Sequence, residues 1–195
     1  MLYNIAKGLC KFLYSLLYRI EVFGEENIPK DSGVIICPNH KSNHDAILVT
    51  VAIKRRLTYL GKEEVFRFAP LGWILKSIGA IPIKRGSGDI GAVRKSIEVL
   101  KEGKALTIFP EGTRNKTDEM LLEFKSGACL IGYKAQVPIV PCAIIGNYKP
   151  FSKVKLVFGK PINMVFDEKP DLHIVTDNLK NSVKTLMEVR LWSFI

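Results

Sequence analysis

The chain alternates between short apolar runs, which predict buried strands, and longer stretches with apolar residues at every third or fourth position, which predict helices. Residues 34–37 read Val-Ile-Ile-Cys and indicate a buried strand. From residue 89 to 102 the apolar side chains recur at helical spacing, and Gly103 ends this stretch. The continuous apolar runs and the stretches with helical spacing therefore mark separate strands and helices along the chain.

Strand and helix signals follow one another over most of the sequence. The strand predictions cover residues 34–37, 57–60, 81–83, 105–109, 139–145 and 154–158. The helix predictions cover residues 46–51, 70–77, 89–102, 126–135 and 175–186. Such alternation predicts an α/β fold, an αβ sandwich around a mixed, mainly parallel sheet. Residues 161–170 indicate a loop rather than a linker, so we expect one folded domain.

The first twenty residues form an amphipathic helical pattern with an unusually wide apolar face. Its narrow polar stripe contains Asn4, Lys7, Gly8, Lys11, Ser15 and Arg19. Each cation in the stripe would cost about 2.5–3.5 kcal/mol at a bilayer centre, which disfavours a membrane-spanning helix. A basic stripe beside a wide apolar face is typical of a helix in the headgroup layer. The alternative is a helix that covers the sheet of its own domain. We expect a membrane-associating helix over 1–20 and a main domain over 21–195.

Composition and charge narrow the class of partner. Of the 195 residues, 47% are apolar and 25% charged, as in a globular protein. The formal net charge of +10 favours an anionic partner, which could be nucleic acid, anionic lipid or a phosphorylated substrate. No long Arg/Lys tract or nucleic-acid-binding motif is present, so we expect no nucleic-acid partner. The four cysteines show no metal spacing and indicate reduced thiols of a cytosolic compartment.

Directly after the strand at 34–37 comes the polar segment Asn39-His40-Lys41-Ser42-Asn43-His44-Asp45. In a continuous helix, residues five apart diverge by about 140°, so His40 and Asp45 can meet only if the chain bends between them. Ser42 or Asn43 would cap a helix that follows, which places His40 on a loop and Asp45 in the first helical turn. A carboxylate on one imidazole nitrogen leaves the other nitrogen free to take a proton. The segment therefore predicts a general base.

Two other interpretations of this segment are weaker. The histidine and aspartate could form a structural pair without catalytic use. His40 and His44 have the spacing of a zinc-binding helix, but no glutamate lies between them and Lys41 brings a positive charge. We expect no metal site, and we expect His44 to line the pocket or the surface.

A second polar motif, Pro110-Glu111-Gly112-Thr113-Arg114, follows the strand predicted at 105–109. Ligands of open α/β folds bind at the carboxyl edge of the sheet, where this loop would lie. Arg114 is suited to bidentate contact with a phosphate. The alternative is a surface ion pair between Glu111 and Arg114, worth only about 0–1 kcal/mol.

Together the two motifs resemble the signature blocks of the glycerolipid acyltransferases, above all the bacterial 1-acyl-sn-glycerol-3-phosphate acyltransferases. The first block is Asn39-His40 with Asp45, and the second runs from Phe109 to Arg114. Gly79–Arg85 and Val137–Pro141 are similar to two further blocks of the family, in the expected order. The resemblance spans residues 20–165.

The resemblance implies the fold and reaction of that family. His40 would remove the proton from the 2-hydroxyl of 1-acyl-sn-glycerol 3-phosphate as this oxygen attacks an acyl thioester, and Asp45 would orient His40. Acyl-CoA or acyl carrier protein would supply the acyl group as co-substrate, and no other cofactor is implied. The sequence contains no Gly-x-Ser-x-Gly motif, so direct transfer is simpler than an acyl-serine intermediate.

The resemblance also implies an acceptor site in the second block. Arg114 would hold the phosphate, while Glu111 would either bond the glycerol or orient Arg114. The implied substrate-binding residues are Glu111, Gly112, Thr113 and Arg114, with Lys62 and Arg85 either as helpers or as solvated charges.

By the same resemblance, the partners are lysophosphatidic acid, the acyl thioester and an anionic membrane surface, with acyl carrier protein as a partner if it is the donor. We expect a peripheral or monotopic location on the cytoplasmic face of the cell membrane. Three alternatives stay open at this point. The acceptor could be glycerol 3-phosphate or another lysophospholipid, the protein could be a thioester hydrolase, or it could bind membranes without catalysis.

Overall fold

The computed structural model describes residues 2–67, 80–83 and 89–188. The strands are β1 (Tyr18–Phe23), β2 (Val34–Pro38), β3 (Leu57–Lys62), β4 (Ile81–Ile83), β5 (Ala105–Thr107), β6 (Ile139–Gly146) and β7 (Ser152–Phe158). The helices are α1 (Leu2–Leu17), α2 (Asp45–Ala52), α3 (Glu63–Arg67), α4 (Ile90–Lys101), α5 (Gly127–Ala135) and α6 (Leu172–Glu188). A single 3₁₀ turn, Glu25–Asn27, follows β1 in this part of the chain. The predicted helix at 70–77 lies outside the described residues.

The described strands form one seven-stranded sheet in the order β1-β7-β6-β2-β5-β3-β4. Neighbouring strands in this order run parallel, except that β6 and β7 run antiparallel. The central strand β2 lies between β5 and β6. The mixed, mainly parallel sheet predicted from the sequence is confirmed.

Both faces of the sheet are buried, because helices cover each side. Along β2, Ile35 and Cys37 point into a core that includes residues of α4, α5 and α6. Val34 and Ile36 point the other way, into a core that includes residues of α1 and α2. Alternate side chains of a strand face opposite sides of a sheet, so a strand buried on both faces is apolar throughout. The αβ sandwich is therefore confirmed.

Helix α1 ends earlier than the predicted helix over residues 1–20, and Tyr18–Phe23 form strand β1 instead. This strand pairs in parallel with β7, with Ile20 opposite Val154. Apolar residues at helical spacing continue through Ile20, so periodicity alone did not separate the helix from the strand. Tertiary pairing with β7 decides the boundary.

The predicted cap of α2 is also wrong. His44, rather than Ser42 or Asn43, occupies the N-cap position, and its side chain makes no capping hydrogen bond. The Asp45 carboxylate instead accepts the backbone N–H groups of Lys41 and Ser42, at 2.7 and 2.8 Å. The loop before α2 is thus fixed by a side chain inside the helix, and this brings Asp45 back towards His40.

One side of α1 packs on its own domain. The Tyr3 hydroxyl accepts the backbone N–H of Leu57 at 3.0 Å, and Lys7 donates to the carbonyl oxygens of Ile53 and Lys54 at 2.5 and 3.2 Å. Lys7, which the sequence placed in the polar stripe, therefore faces the protein, and burial lowers the pKa of its ammonium group.

The opposite side of α1 is apolar and exposed. Its exposed large side chains are Ile5, Leu9, Phe12, Leu13, Leu16 and Leu17. None of the helices in the described ranges is long and apolar enough to span a bilayer.

Candidate active site

The first motif begins where β2 ends. The buried side chain of Asn39 bonds both backbone groups of Ile144 in β6, accepting from its N–H at 2.7 Å and donating to its carbonyl at 3.1 Å. These two bonds extend the pairing of β2 with β6 by one residue. The side-chain amide of Asn39 takes the part that a backbone peptide group has within the strands. The next residue, His40, is thereby held at the carboxyl edge of the central strand.

The predicted pair forms between His40 and Asp45. His40 Nδ1 lies 2.8 Å from Asp45 Oδ2, and the Asp45 side chain is completely buried while that of His40 is 15% exposed. Since Nδ1 carries the proton in this bond, Nε2 holds a lone pair and can accept a proton from a substrate. The pair thus has the geometry of a general base with its orienting carboxylate.

The second motif holds His40 in place. Glu111 Oε1 accepts the backbone N–H of His40 at 2.6 Å, and the backbone N–H of Asn115 donates to the His40 carbonyl at 2.6 Å. The His40 ring stacks on Phe109, with centroids 4.1 Å apart and planes inclined by 26°. The two sequence blocks are therefore one site, in which the loop from 109 to 115 positions the base.

Glu111 is buried, and backbone groups occupy both oxygens of its carboxylate. Oε1 binds His40 as described, and Oε2 accepts the backbone N–H of Leu122 at 2.9 Å. Burial raises the pKa of Glu111. The two hydrogen bonds and the nearby side chains of His40 and Lys41 act in the opposite direction and lower this pKa. In this structure Glu111 joins the two motifs to each other rather than to Arg114.

Gly112, Thr113 and Arg114 lie on the outer part of the same loop. Gly112 has φ of 69°, and a Cβ atom built there would lie 3.1 Å from Lys125 Nζ. Thr113 and Arg114 are exposed, and within the described ranges Arg114 makes no hydrogen bond or ion pair. The loop therefore presents the Arg114 guanidinium to solvent, with a second cation, Lys125, beside Gly112.

The predicted contacts of Arg85 and of the Lys62 side chain lie outside the described residues. Lys125 was not singled out in the sequence, because it lies eleven positions beyond the second motif and only the fold brings it back. The backbone N–H of Lys125 donates to Pro110 at 2.8 Å, which attaches it to the motif.

Sequence reasoning also missed an aromatic cluster formed by Tyr14, Tyr18, His44 and Tyr148. The Tyr14 hydroxyl bonds His44 Nδ1 at 2.6 Å, and the His44 ring stacks on Tyr148 with centroids 6.1 Å apart. Tyr148 in turn donates its hydroxyl proton to Asp45 Oδ1. No local signal could reveal this link, because Tyr148 lies 103 positions from Asp45.

The remaining candidate chemistry is structural. All four cysteines are free, and burial raises the pKa of Cys37, Cys129 and Cys142, which keeps these thiols protonated. Among the described residues no group of three or more histidine, cysteine, aspartate or glutamate side chains is arranged to hold a metal ion.

A cavity of about 390 Å³ opens away from the His40–Asp45 pair. Its walls include Arg56 and Thr58, at the start of β3, and Lys104, just before β5. It therefore adjoins the amino ends of these parallel strands, whereas His40 lies at the carboxyl edge, where α/β proteins bind substrates. The histidine, rather than this cavity, is therefore the candidate active site.

A sequence profile of the acyltransferase family matches residues 19–145, which include both motifs and most of the sheet. The chain belongs to the acyltransferase family. The resemblance drawn from the two blocks is confirmed, and the chain is an enzyme of this family.

Several proteins named as acyltransferases are similar to the chain. A 1-acyl-sn-glycerol-3-phosphate acyltransferase of Bacillus subtilis is 32% identical over 196 residues, covering 95% of this chain and 96% of that protein. The human 1-acyl-sn-glycerol-3-phosphate acyltransferase alpha is 32% identical over 144 residues, covering 72% of this chain and 50% of that protein. The chain thus spans nearly all of one relative and half of the other.

The acyltransferase fold is shared with a solved structure. The crystal structure of the 1-acyl-sn-glycerophosphate acyltransferase of Thermotoga maritima superposes with a TM-score of 0.82 at 25% sequence identity. The match covers 99% of this chain and 81% of that one. The α/β architecture predicted from the sequence is therefore that of this acyltransferase.

Proposed function

We propose that this acyltransferase moves a fatty acyl group from an acyl thioester to the 2-hydroxyl of 1-acyl-sn-glycerol 3-phosphate, giving phosphatidic acid. The observation that carries the proposal is the buried Asp45 carboxylate on His40 Nδ1, 2.8 Å away, beside a loop that exposes the Arg114 guanidinium. The names of the Bacillus subtilis and human relatives support this choice of acceptor.

The reaction needs one base and no covalent enzyme intermediate. His40 Nε2 takes the proton of the 2-hydroxyl while this oxygen attacks the thioester carbonyl carbon. The tetrahedral intermediate then expels the thiolate, which takes the proton back from the His40 imidazolium and leaves as a thiol. Asp45 stabilises the imidazolium between the two steps. Base catalysis of this type contributes about 10²–10⁴-fold.

The acceptor phosphate would bind at the loop of the second motif. Arg114 offers a planar pair of donors for two phosphate oxygens, and Lys125 supplies a point charge beside Gly112. Lys62 and Arg85 are proposed as further helpers. Fixing the phosphate also fixes the distance from the 2-hydroxyl to His40, so this contact supports rate as well as affinity.

The enzyme would take its acceptor from a membrane surface. The exposed apolar side chains of α1 suit insertion between headgroups, and the net charge of +10 favours an anionic leaflet. We propose peripheral or monotopic binding at the cytoplasmic face, with acyl-CoA or acyl carrier protein as donor and no further cofactor.

The test is acyl transfer with defined substrates. Wild type, His40→Ala and His173→Ala would each receive lysophosphatidic acid with acyl-CoA or acyl carrier protein, and mass spectrometry would follow the lipid. His173 is an exposed histidine of α6 and serves as the matched control. Phosphatidic acid should form with wild type and His173→Ala and fail with His40→Ala.

A control without acceptor separates the reaction classes. Loss of thioester that does not depend on the acceptor would mean hydrolysis and contradict the proposal. Turnover with glycerol 3-phosphate in place of lysophosphatidic acid would keep the mechanism and change the acceptor.

A further inference from the structure

The two oxygens of the Asp45 carboxylate have different surroundings. Oδ2 accepts from His40 Nδ1 and from the backbone N–H groups of Lys41 and Ser42, all between 2.7 and 2.8 Å. These donors belong to the first motif itself. Oδ1 accepts the hydroxyl proton of Tyr148, which follows β6. One distant residue therefore satisfies the half of the carboxylate that does not face the histidine.

Tyr148 is held where it can make this bond. Its ring stacks on His44 at an interplanar angle of 24°, and the hydroxyl of Tyr14 bonds the same His44 at 2.6 Å. The Tyr18 hydroxyl contacts the Tyr148 carbonyl at 3.5 Å, and the backbone N–H of Phe151 donates to Leu17 at 2.6 Å. The turn that carries Tyr148 is thus tied to the end of α1 and the start of β1.

The Tyr148 hydroxyl keeps its proton at neutral pH and is therefore a donor. Burial and the adjacent negative charge of Asp45 both raise the pKa of Tyr148. Because the phenol keeps its proton, its bond to Oδ1 withdraws part of the carboxylate charge and fixes the plane of the carboxylate.

We propose that Tyr148 is a positioning residue that sets the basicity of His40 through Asp45. A carboxylate with one strong donor on its far oxygen attracts the imidazolium less than one without it. Tyr148 therefore keeps His40 neutral, and so ready to accept a proton, at lower pH than Asp45 alone would allow. The inference rests on the proposed use of His40 as base.

Other titratable groups surround the pair, and all of them remain in the chain when the Tyr148 hydroxyl is removed. They are Lys41 and His44 before α2, Glu111 on the second motif, Tyr14 on α1, Tyr18 on β1 and Cys142 on β6. The contact that the substitution removes is the bond from the Tyr148 hydroxyl to the Asp45 carboxylate.

The test is an NMR titration of the histidine ring in full-length Tyr148→Phe. The chain has three histidines, so a His40→Ala spectrum assigns the signal. The midpoint of the His40 titration should rise by about 0.5–1 pH unit relative to wild type. Tyr133→Phe removes a tyrosine hydroxyl on α5, where the ring contacts Phe166 outside the aromatic cluster, and its midpoint should stay at the wild-type value. An unchanged or lower midpoint in Tyr148→Phe would overturn the proposal.

Activity gives an independent readout. With acyl-CoA and lysophosphatidic acid, the acid limb of the kcat/KM profile should move to higher pH in Tyr148→Phe by the same amount as the NMR midpoint. A uniform loss of rate with an unmoved limb would show a merely structural role. A shifted NMR midpoint in an enzyme that does not make phosphatidic acid would keep this inference and refute the proposed function.

If Tyr148→Phe does not fold, the proposal can be tested by NMR on the wild-type protein. The hydroxyl proton of Tyr148 should then appear as a downfield, slowly exchanging NMR signal whose position changes as His40 titrates. A rapidly exchanging hydroxyl, or a signal that ignores the His40 titration, would contradict the proposal.

Discussion

At the scale of single residues, His40 is fixed through every polar atom except Nε2, as far as the described residues show. Its backbone N–H donates to Glu111, its carbonyl accepts from the backbone N–H of Asn115, and its Nδ1 bonds Asp45. The ring also stacks on Phe109. A base held in this way loses little conformational freedom when a substrate arrives, which is an advantage for proton transfer.

Replacement of Asp45 by asparagine should abolish most activity in a folded protein. The amide oxygen can still accept from Lys41 and Ser42, and the amide nitrogen can donate to the Tyr148 oxygen, so stability should change little. However, the neutral amide cannot stabilise the His40 imidazolium, and kcat should fall by about 10²–10⁴-fold. Steady-state kinetics and thermal melting measure the two effects. Asp167→Asn, in an exposed loop, is the control, and near-normal turnover in Asp45→Asn would refute the pair.

Replacement of Arg114 by alanine should raise the KM for lysophosphatidic acid and also lower kcat. A charge-assisted hydrogen bond contributes about 1.5–3 kcal/mol, so the loss in kcat/KM should be about 10- to 100-fold. Arg114→Lys should recover only part of the lost kcat/KM, because lysine lacks the planar pair of donors. Arg94→Ala changes an exposed arginine of α4 and should behave as wild type. If Arg114→Ala changes neither constant, the phosphate binds elsewhere.

The sequence predicted the His40–Asp45 contact because both residues lie within one short motif after a strand. It did not predict the contacts that cross the fold. Glu111 was expected to face the acceptor or Arg114, yet its two oxygens bind the backbones of His40 and Leu122. Tyr148 carried no local signal at all. Spacing can reveal partners in the same motif, whereas partners from distant strands emerge only when the sheet is assembled.

At the scale of elements, the side of α1 that faces the protein is polar and aromatic. Tyr3, Lys7 and Tyr14 bond to the domain, while Leu9 and Phe12 on the other side are 59% and 61% exposed. Packing on the domain, the alternative raised for this helix, accounts for one of its sides. Because the other side is apolar and exposed, the expected contact with a membrane stays a prediction.

Acidic substitutions on the exposed side of α1 should weaken membrane binding without unfolding the protein. Leu9→Asp with Phe12→Asp should reduce binding to vesicles that contain phosphatidylglycerol by at least about tenfold, because each charge must stay out of the apolar layer. Ile174→Asp on α6 is the matched control, since Ile174 is equally apolar and 60% exposed. Vesicle co-sedimentation measures binding, and circular dichroism checks the fold. Equal binding by wild type, the double variant of α1 and Ile174→Asp would exclude α1 as the membrane contact.

The sequence located most elements because apolar periodicity was clear in strands and helices buried by the sheet. It failed at the junction of α1 and β1, where the apolar side chains fit both the helical and the strand period. Pairing with β7 determines where the helix ends and the strand begins. It also failed at the start of α2, where a carboxylate within the helix replaces the expected cap. In both places a tertiary contact overrides a local preference.

At the scale of the whole molecule, the net charge of +10 is distributed over many helices and loops. In the proposed membrane binding, such a charge would act at long range and draw the protein towards an anionic surface before any apolar contact is made. The apolar face of α1 would then act at short range. The two contributions should be separable by salt.

Binding to anionic vesicles should weaken strongly as salt increases, and binding to neutral vesicles should not. The Debye length falls from about 30 Å at 0.01 M to about 8 Å at 0.15 M, which screens the long-range attraction. We expect the partition coefficient for phosphatidylglycerol vesicles to fall at least about tenfold over this range. Phosphatidylcholine vesicles provide the control. The same salt dependence with both lipids would mean that charge does not direct membrane binding.

The contacts of His40 also bear on how the enzyme could be divided. Both residues of the pair lie in the first quarter of the chain, but Glu111 and Asn115 bind the His40 backbone from 71 and 75 positions further on. A fragment that ends before β5 would contain the whole pair but would lack Glu111, Asn115 and Phe109, which hold His40 in place. Two separately expressed halves should therefore be inactive alone and regain turnover only on association, which makes the enzyme suited to a split reporter.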